Sequence, residues 1–270
     1  MRLSRNINQP TGGVRPYTRL SPSSPILPGA PVGNIIQIEG SGESTYDALW
    51  VTARHAPAGA WQLTASYTWS KSLDFNSLSS APAVVLQDSY DARNNRGLSD
   101  FDARHRFVIG GIYRVPFRGA GIIEGWNLAA TAQFQSGNPV DLVTSSTING
   151  VVNTVRPDVT GPIRVTGRAS QWFDTSVFRA GSTFGNLGRN VIIGPGFANV
   201  DVALWKDTRL GSRGRLQLRA EVFNLLNRVN FGQPGRVLGT VSFGRITNTR
   251  FPAGDAGSAR QMQLAVKFGF

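Results

Sequence analysis

The sequence predicts an all-β chain of long antiparallel strands. Three observations lead there: apolar and polar residues alternate with period two over stretches too long for ordinary soluble strands, the connections alternate between short and long, and helix-forming composition is missing. Of the 270 residues, 16% are charged and 40% apolar, against roughly 25% and 45–50% in typical soluble domains. Uncharged polar residues and 31 Gly fill the gap, a mixture unsuited to helical bundles. No run of about 18 apolar residues offers a transmembrane helix.

Residues 1–42 read as an irregular loop segment, because Pro recurs at positions 10, 16, 22, 25, 28 and 31 and breaks regular structure. A short alternation at 36–38 suggests a brief strand at its end. From residue 43 the period-two pattern takes over, with seven predicted strands at 46–54, 61–70, 103–115, 125–135, 199–206, 215–223 and 260–270. In the second, Trp61, Leu63, Ala65, Tyr67 and Trp69 alternate with Gln62, Thr64, Ser66, Thr68 and Ser70. In the third, Phe107, Ile109, Tyr113 and Val115 share one face and Arg104, Arg106 and Arg114 the other; in the sixth, Leu216, Leu218, Ala220 and Val222 oppose Arg215, Gln217, Arg219 and Glu221.

A soluble antiparallel sheet also alternates, with its apolar face on a core. The strands here are too long for that, since globular strands have a mode of about 5–6 residues and membrane-spanning ones about 9–11. Trp61 and Trp69 close the two ends of one apolar face, and eight residues at about 3.4 Å, tilted about 40°, cover roughly 20 Å of bilayer normal. That approximates the spacing of two aromatic girdles. The connections 55–60, 116–124 and 207–214 are short, whereas 71–102, 136–198 and 227–259 are long and polar. Short periplasmic turns alternating with long extracellular loops mark outer-membrane barrels. The fold class is therefore an antiparallel transmembrane β-barrel portion, with residues 43–270 as barrel.

Four stretches carry a family resemblance: Ser44-Thr45-Tyr46-Asp47-Ala48-Leu49, Ala65-Ser66-Tyr67-Thr68-Trp69-Ser70-Lys71-Ser72-Leu73-Asp74, Ser99-Asp100-Phe101-Asp102-Ala103-Arg104-His105-Arg106-Phe107 and Ala220-Glu221-Val222-Phe223-Asn224-Leu225-Leu226-Asn227. In this order, followed by a terminal Phe, they resemble the C-terminal barrel of TonB-dependent receptors, closest to the Oar-like branch that carries a carboxypeptidase-regulatory-like domain. The resemblance implies a barrel of about 22 strands with a plugged lumen, which imports scarce substrates with energy from the TonB complex. Seven strands are about a third of such a barrel, and no plug, TonB box or signal peptide is recognisable. The expectation is a fragment of a receptor, not competent alone, whose partners are outer-membrane lipid, the barrel-assembly machinery, and the missing N-terminal barrel and plug through which TonB would act. The alternative is a small self-contained eight-strand pore or adhesin, with 33–40 as the eighth strand. A third possibility is a soluble β protein that binds anionic polymers.

Candidate lumen-facing residues are Arg104, Arg106, Arg114, Arg215, Arg219 and Glu221, suited to contact a plug or an anionic solute or to pair with neighbouring acids. Candidate membrane-interface aromatics are Trp61, Tyr67, Trp69, Tyr113, Trp126, Phe134 and Phe268. Trp50, Trp126 and Trp205, with Phe134, have the chemistry to stack on sugars or bases, but on barrel strands such residues more often anchor the lipid interface. Met262, Leu264, Val266, Phe268 and Phe270 form a closing strand that resembles the signal read by the assembly machinery.

Other chemistry is sparse. With no Cys and two His, disulfides, thiolate sites and cysteine nucleophiles drop out. Asp88, Asp91, Asp100 and Asp102 share a loop but lack calcium-loop spacing, and read as solvated charges. His105 reads as an interfacial side chain, and His55 has no visible partner. Gly181-Ser182-Thr183-Phe184-Gly185 places Thr where a nucleophile elbow needs Ser. The +12 charge is scattered and forms no basic run, so nucleic acid is not expected. No enzyme activity, cofactor or metal is expected.

Overall fold

The computed structural model describes residues 3–56, 59–77, 86–117, 119, 123–151, 155–211, 214–250 and 259–270. Its centre is a sheet of long strands: β1 (Ser44–His55), β2 (Trp61–Asp74), β3 (His105–Arg114), β4 (Trp126–Gln135), β5 (Phe197–Leu210), β6 (Gly214–Phe223) and β7 (Gln261–Gly269). Each pairs antiparallel with its neighbour in the chain, so the sheet is a simple up-and-down meander. A two-residue strand, Gly97–Leu98, adds to β2 at its loop end.

Register follows from the alternation. Tyr67 lies opposite Val51 on one side and Phe107 on the other, Phe107 opposite Phe134, and Phe134 opposite Ala198. Farther along, Leu218 is paired with both Lys206 and Val266. The apolar rows of adjacent strands thus fall on one face throughout. A one-residue slip in any strand would throw its whole apolar row onto the polar side.

β1 pairs only with β2 and β7 only with β6; among the described residues no ladder joins these two edges. Closure is not seen. The predicted eighth strand goes elsewhere: Ile36–Glu39 pairs with Leu3–Asn6, away from the sheet. Two strands outrun their predicted ends by more than a full repeat of the pleat. β2 continues to Asp74 because Leu73 and Asp74 pair with both β1 and Gly97–Leu98, and β5 reaches Leu210 because Thr208 and Arg209 still pair with β6. The third short connection shrinks to 211–213, of which 212–213 lie outside the described residues.

The long connections are not merely polar loops. Pro139–Val140 pairs with Ile192–Ile193, Asp158–Val159 with Phe178–Arg179, and Val143–Thr144 runs parallel to Val237–Leu238. Val140, Leu142, Phe173, Phe178, Leu187, Ile192 and Phe243 form a buried cluster, in which the Phe173, Phe178 and Phe243 rings meet edge to face at 5.3–5.8 Å. Of the buried hydrophobic residues among the described ones, only Phe197 and Ala198 belong to a long strand. The interior of this molecule is in its loop layer. The N-terminal segment joins that layer: Leu3 packs on Phe75 and Leu86, and the Gln9 side chain donates to the Gln87 carbonyl while accepting from the Ser89 amide.

Gly125 ends the connection into β4 with φ +79°, and a Cβ there would collide with the Asp207 carbonyl of β5. Gly211, in the next turn, has φ +64° and open space around it. Left-handed backbone alone costs a non-glycine residue about 1–2 kcal/mol. Gly125→Ala should therefore lower the denaturant midpoint of the refolded chain well beyond the shift that Gly211→Ala causes; equal shifts would contradict the close β4–β5 approach.

Candidate functional site

The apolar face of the sheet is uncovered by protein. Leu49, Val51, Trp61, Trp69, Tyr113, Leu128, Phe134, Leu204, Leu218, Met262, Leu264, Val266 and Phe268 are all exposed large hydrophobic residues on this face. The seven aromatic residues singled out from sequence all fall on it by register. Trp61, Tyr113, Trp126 and Phe268 stand toward the short-turn end, and Tyr67, Trp69 and Phe134 toward the loop end. At the loop end the Tyr67 hydroxyl meets His105 Nδ1 at 2.8 Å, and Phe107 and Phe134 stack at 6.4 Å. His55, expected to be alone, stacks on Trp61 at 3.7 Å. Met262, Leu264, Val266 and Phe268 continue the apolar rows, and Phe270 beyond them is fully exposed.

Trp50 and Trp205, candidates for stacking on sugars or bases as well as for the lipid interface, stand on the face away from lipid. Trp50 lies opposite Thr68, and Trp205 lies opposite Asn127 and Arg219, on the polar face. The alternation had carried that signal, since both occupy the polar phase of their strands. The Arg219 guanidinium sits over the Trp205 ring at 5.4 Å and pairs with Glu221 at 2.6 Å; Arg215 pairs with Asp207 at 3.2 Å.

Arg106 and Arg114 also lie in the polar rows, opposite Gln135 and Asn127. Arg104 departs from them. It precedes β3 and lines a recess of about 390 Å³ with Asp47, Leu49, Trp69 and Lys71, whose own rows are outward.

On the polar face near the loops is a second recess of about 280 Å³, lined by Tyr46, Ser72, Phe101, Asp102, Arg106 and Gln135 among others. Aromatic rings, a guanidinium, a carboxylate and an amide there suit a polar solute. Sequence reading found Arg106 but not Tyr46 or Gln135, whose even and odd phases respectively are settled only by the register. Nearby, Arg250 lies over Phe197 at 5.2 Å and donates to Asn138 at 3.1 Å. Burial and then the Arg106 charge hold its pKa below the usual arginine value.

The loop layer is tied to the sheet by buried charge. Arg189 bridges Asp74, at the end of β2, at 2.6 Å and Asp100 at 3.0 Å. Removing one partner of such a buried pair typically costs about 3–5 kcal/mol. Arg156, 2% exposed, donates to the Leu187 carbonyl, Asn95 Oδ1, and both the carbonyl and Oδ1 of Asn94. Of Asp88, Asp91, Asp100 and Asp102, read as solvated charges, Asp91 and Asp100 are exposed and Asp88 is half-buried, while Asp102 departs from that reading. Asp102 is buried and accepts from the Ser72 amide at 2.6 Å, Asp100 takes Arg189 and Asn190, Asp91 caps the short helix Ala92–Asn95, and Asp88 accepts from the Tyr90 amide. No metal-ligating cluster of three or more residues occurs among the described residues.

Asp141 stands apart, its Oδ1 buried without a hydrogen-bond partner. Burial raises its pKa above 3.8, against the opposing pull of Arg156 and Arg189. The folded chain therefore holds this proton more tightly than the unfolded one. Its contribution to stability is greatest below the unfolded value and is lost as pH rises through the raised folded value. Asp141→Asn should accordingly slow hydrogen exchange of the loop layer at pH 7, and the advantage should vanish at or below about pH 3.8; faster exchange at pH 7 would contradict this.

The arrangement is that of a membrane wall: an apolar face bounded by aromatic bands, a polar face opposite, and folded loops at one end. A model of the outer membrane beta barrel domain matches residues 1–263. No curated protein and no solved structure matches the chain. With the family match spanning almost all of its length, the chain belongs to the outer membrane beta barrel domain family and resides in the cell outer membrane, with lipid against its apolar face.

Proposed function

We propose that this chain supplies wall strands and extracellular loops to a TonB-dependent transporter barrel larger than itself, and that it is non-enzymatic. The observation that carries this reading is the pair of sheet edges, β1 and β7, that no ladder covers among the described residues. β1 spans 12 residues and β7 nine, and every second backbone amide and carbonyl along each edge points away from the sheet. In hydrocarbon each unsatisfied group costs several kcal/mol, so a bilayer tolerates such edges only when further strands cover them. Those strands would come from the N-terminal barrel, with the plug filling the lumen and receiving TonB. The polar face, with Arg106, Arg114, Arg215, Arg219 and Glu221, would then contact plug or solute. The β7 row ending at Phe270 would serve recognition by the barrel-assembly machinery. The four stretches that resemble Oar-like receptors support the same reading.

The small-barrel alternative needs an eighth strand beside β1 or β7. Its candidate segment is instead held by Leu3–Asn6.

The test is the length of the polypeptide that bears these residues in native outer membranes, read by intact-mass analysis after extraction. The expected product is far longer than 270 residues and takes up its solute only while the TonB system is energised. A product of 270 residues that migrates as a heat-modifiable monomer and conducts ions alone would overturn the proposal.

A further inference from the structure

The outward face is not uniform along the membrane normal. At the short-turn end, among the described residues of the strands, its charged residue is Lys206, which is buried, donates to the Glu124 carbonyl and Thr208, and lies 6.0 Å from the Trp126 ring. The loop end differs. Between β3, β4 and β5 an outward recess of about 270 Å³ is lined by His105, Phe107, Phe134, Ser136, Phe197 and Arg228, among others. Phe107 and Phe134 stack to form its apolar side. His105 is held from both directions, by Tyr67 at its ring and by Ser136 at its amide. Arg228 follows β6, and its amide and carbonyl are both fixed by the Asn224 side chain. Across β3 lies the adjoining recess, with Arg104, Lys71 and Trp69.

None of the ion pairs among the described residues involves Arg228, Arg104 or Lys71. Asp47, opposite Lys71 in the β1–β2 ladder, is the acid within this band. A band of cations directly above an aromatic band, at the boundary of hydrocarbon and water, complements a ligand with an anionic head and an apolar tail. Phosphate is the head group that guanidinium binds best, by paired charge-assisted hydrogen bonds.

We propose that the recess between β3, β4 and β5 is a seat for a phosphorylated lipid of the outer leaflet. Arg228 takes the phosphate, an acyl chain lies along Phe107 and Phe134, and Arg104 and Lys71 hold further anionic groups beside it. The site needs only strands that this chain contains, so it does not depend on how the barrel is completed.

The protein, extracted from outer membranes into maltoside micelles, would be titrated with phosphatidic acid and with phosphatidylcholine of the same acyl chains, and retained lipid counted by native mass spectrometry. Phosphatidic acid should be retained in preference, and Arg228→Ala should weaken its binding about tenfold, equivalent to about 1.4 kcal/mol. Arg228→Lys keeps the charge but loses the paired hydrogen bonds and should recover part of the loss, which separates a lost charge from a misfolded loop. Arg168→Ala, in the exposed hairpin Val165–Arg168 to Gln171–Phe173, removes the same charge elsewhere and should change nothing. Equal retention of both lipids, an unaltered affinity in Arg228→Ala, or full displacement of phosphatidic acid by inorganic phosphate would overturn the proposal. The last result would mark a site for free anions.

Discussion

Where the odd-numbered side chains of β2 point governs the rest of this structure. Trp61, Leu63, Ala65, Tyr67 and Trp69 face away from any protein, and the register carries the same choice from β1 through β7. In water that face would be a large exposed apolar patch and an aggregation hazard. In hydrocarbon it incurs no such penalty, while the hydrogen-bonded ladders satisfy the backbone that lipid cannot. The sheet is therefore stabilised by its ladders and its solvent, with little apolar core of its own.

That division explains why the conventional core is found where loops were expected. The three Phe rings at 173, 178 and 243 and the aliphatic residues around them give the loop layer a stability of its own. Buried charge then joins the two parts: Arg189 reaches from the second long connection to Asp74 at the end of β2, while Arg156 crosses to Asn94 and Asn95 in the first. Because both guanidinium groups are buried among acceptors they cannot leave without desolvated partners remaining behind. The loops are consequently held as one body over the end of the sheet. That geometry keeps the polar-face recess around Arg106 and the outward recess around Arg228 at defined heights.

Much of the sheet was legible because membrane strands write their structure locally. Period-two alternation placed all seven long strands, and the aromatic residues at 61, 69, 113, 126 and 134 fell on the face that the alternation assigned. Strand ends were less legible: Thr208 to Leu210 simply carry the β5–β6 hairpin closer to its turn, whereas Leu73 and Asp74 extend β2 through partners far along the chain, in β1 and Gly97–Leu98. The loop layer was illegible for the same reason: Val143 pairs with Val237, and Phe173 meets Phe243. No local period announces contacts across seventy residues or more. Trp50 and Trp205 show that residue type alone does not settle a face, since their phase puts them in the polar rows. Of the candidate site residues, Arg104 moved to the outward rim because it precedes the paired part of β3.

The chain has no Cys, so single cysteines report their surroundings without a corrected background. Spin labels placed one at a time at 63, 64, 65, 66, 67 and 68 in the protein assembled in its own outer membrane would be probed with oxygen, which partitions into lipid, and with a charged nickel chelate, which stays in water. A lipid-facing row gives alternation with period two: oxygen collisions dominate at Leu63, Ala65 and Tyr67, and chelate collisions at Thr64, Ser66 and Thr68. Chelate access at Leu63, Ala65 and Tyr67, or the same oxygen-to-chelate ratio at all six positions, would contradict a lipid-facing apolar row.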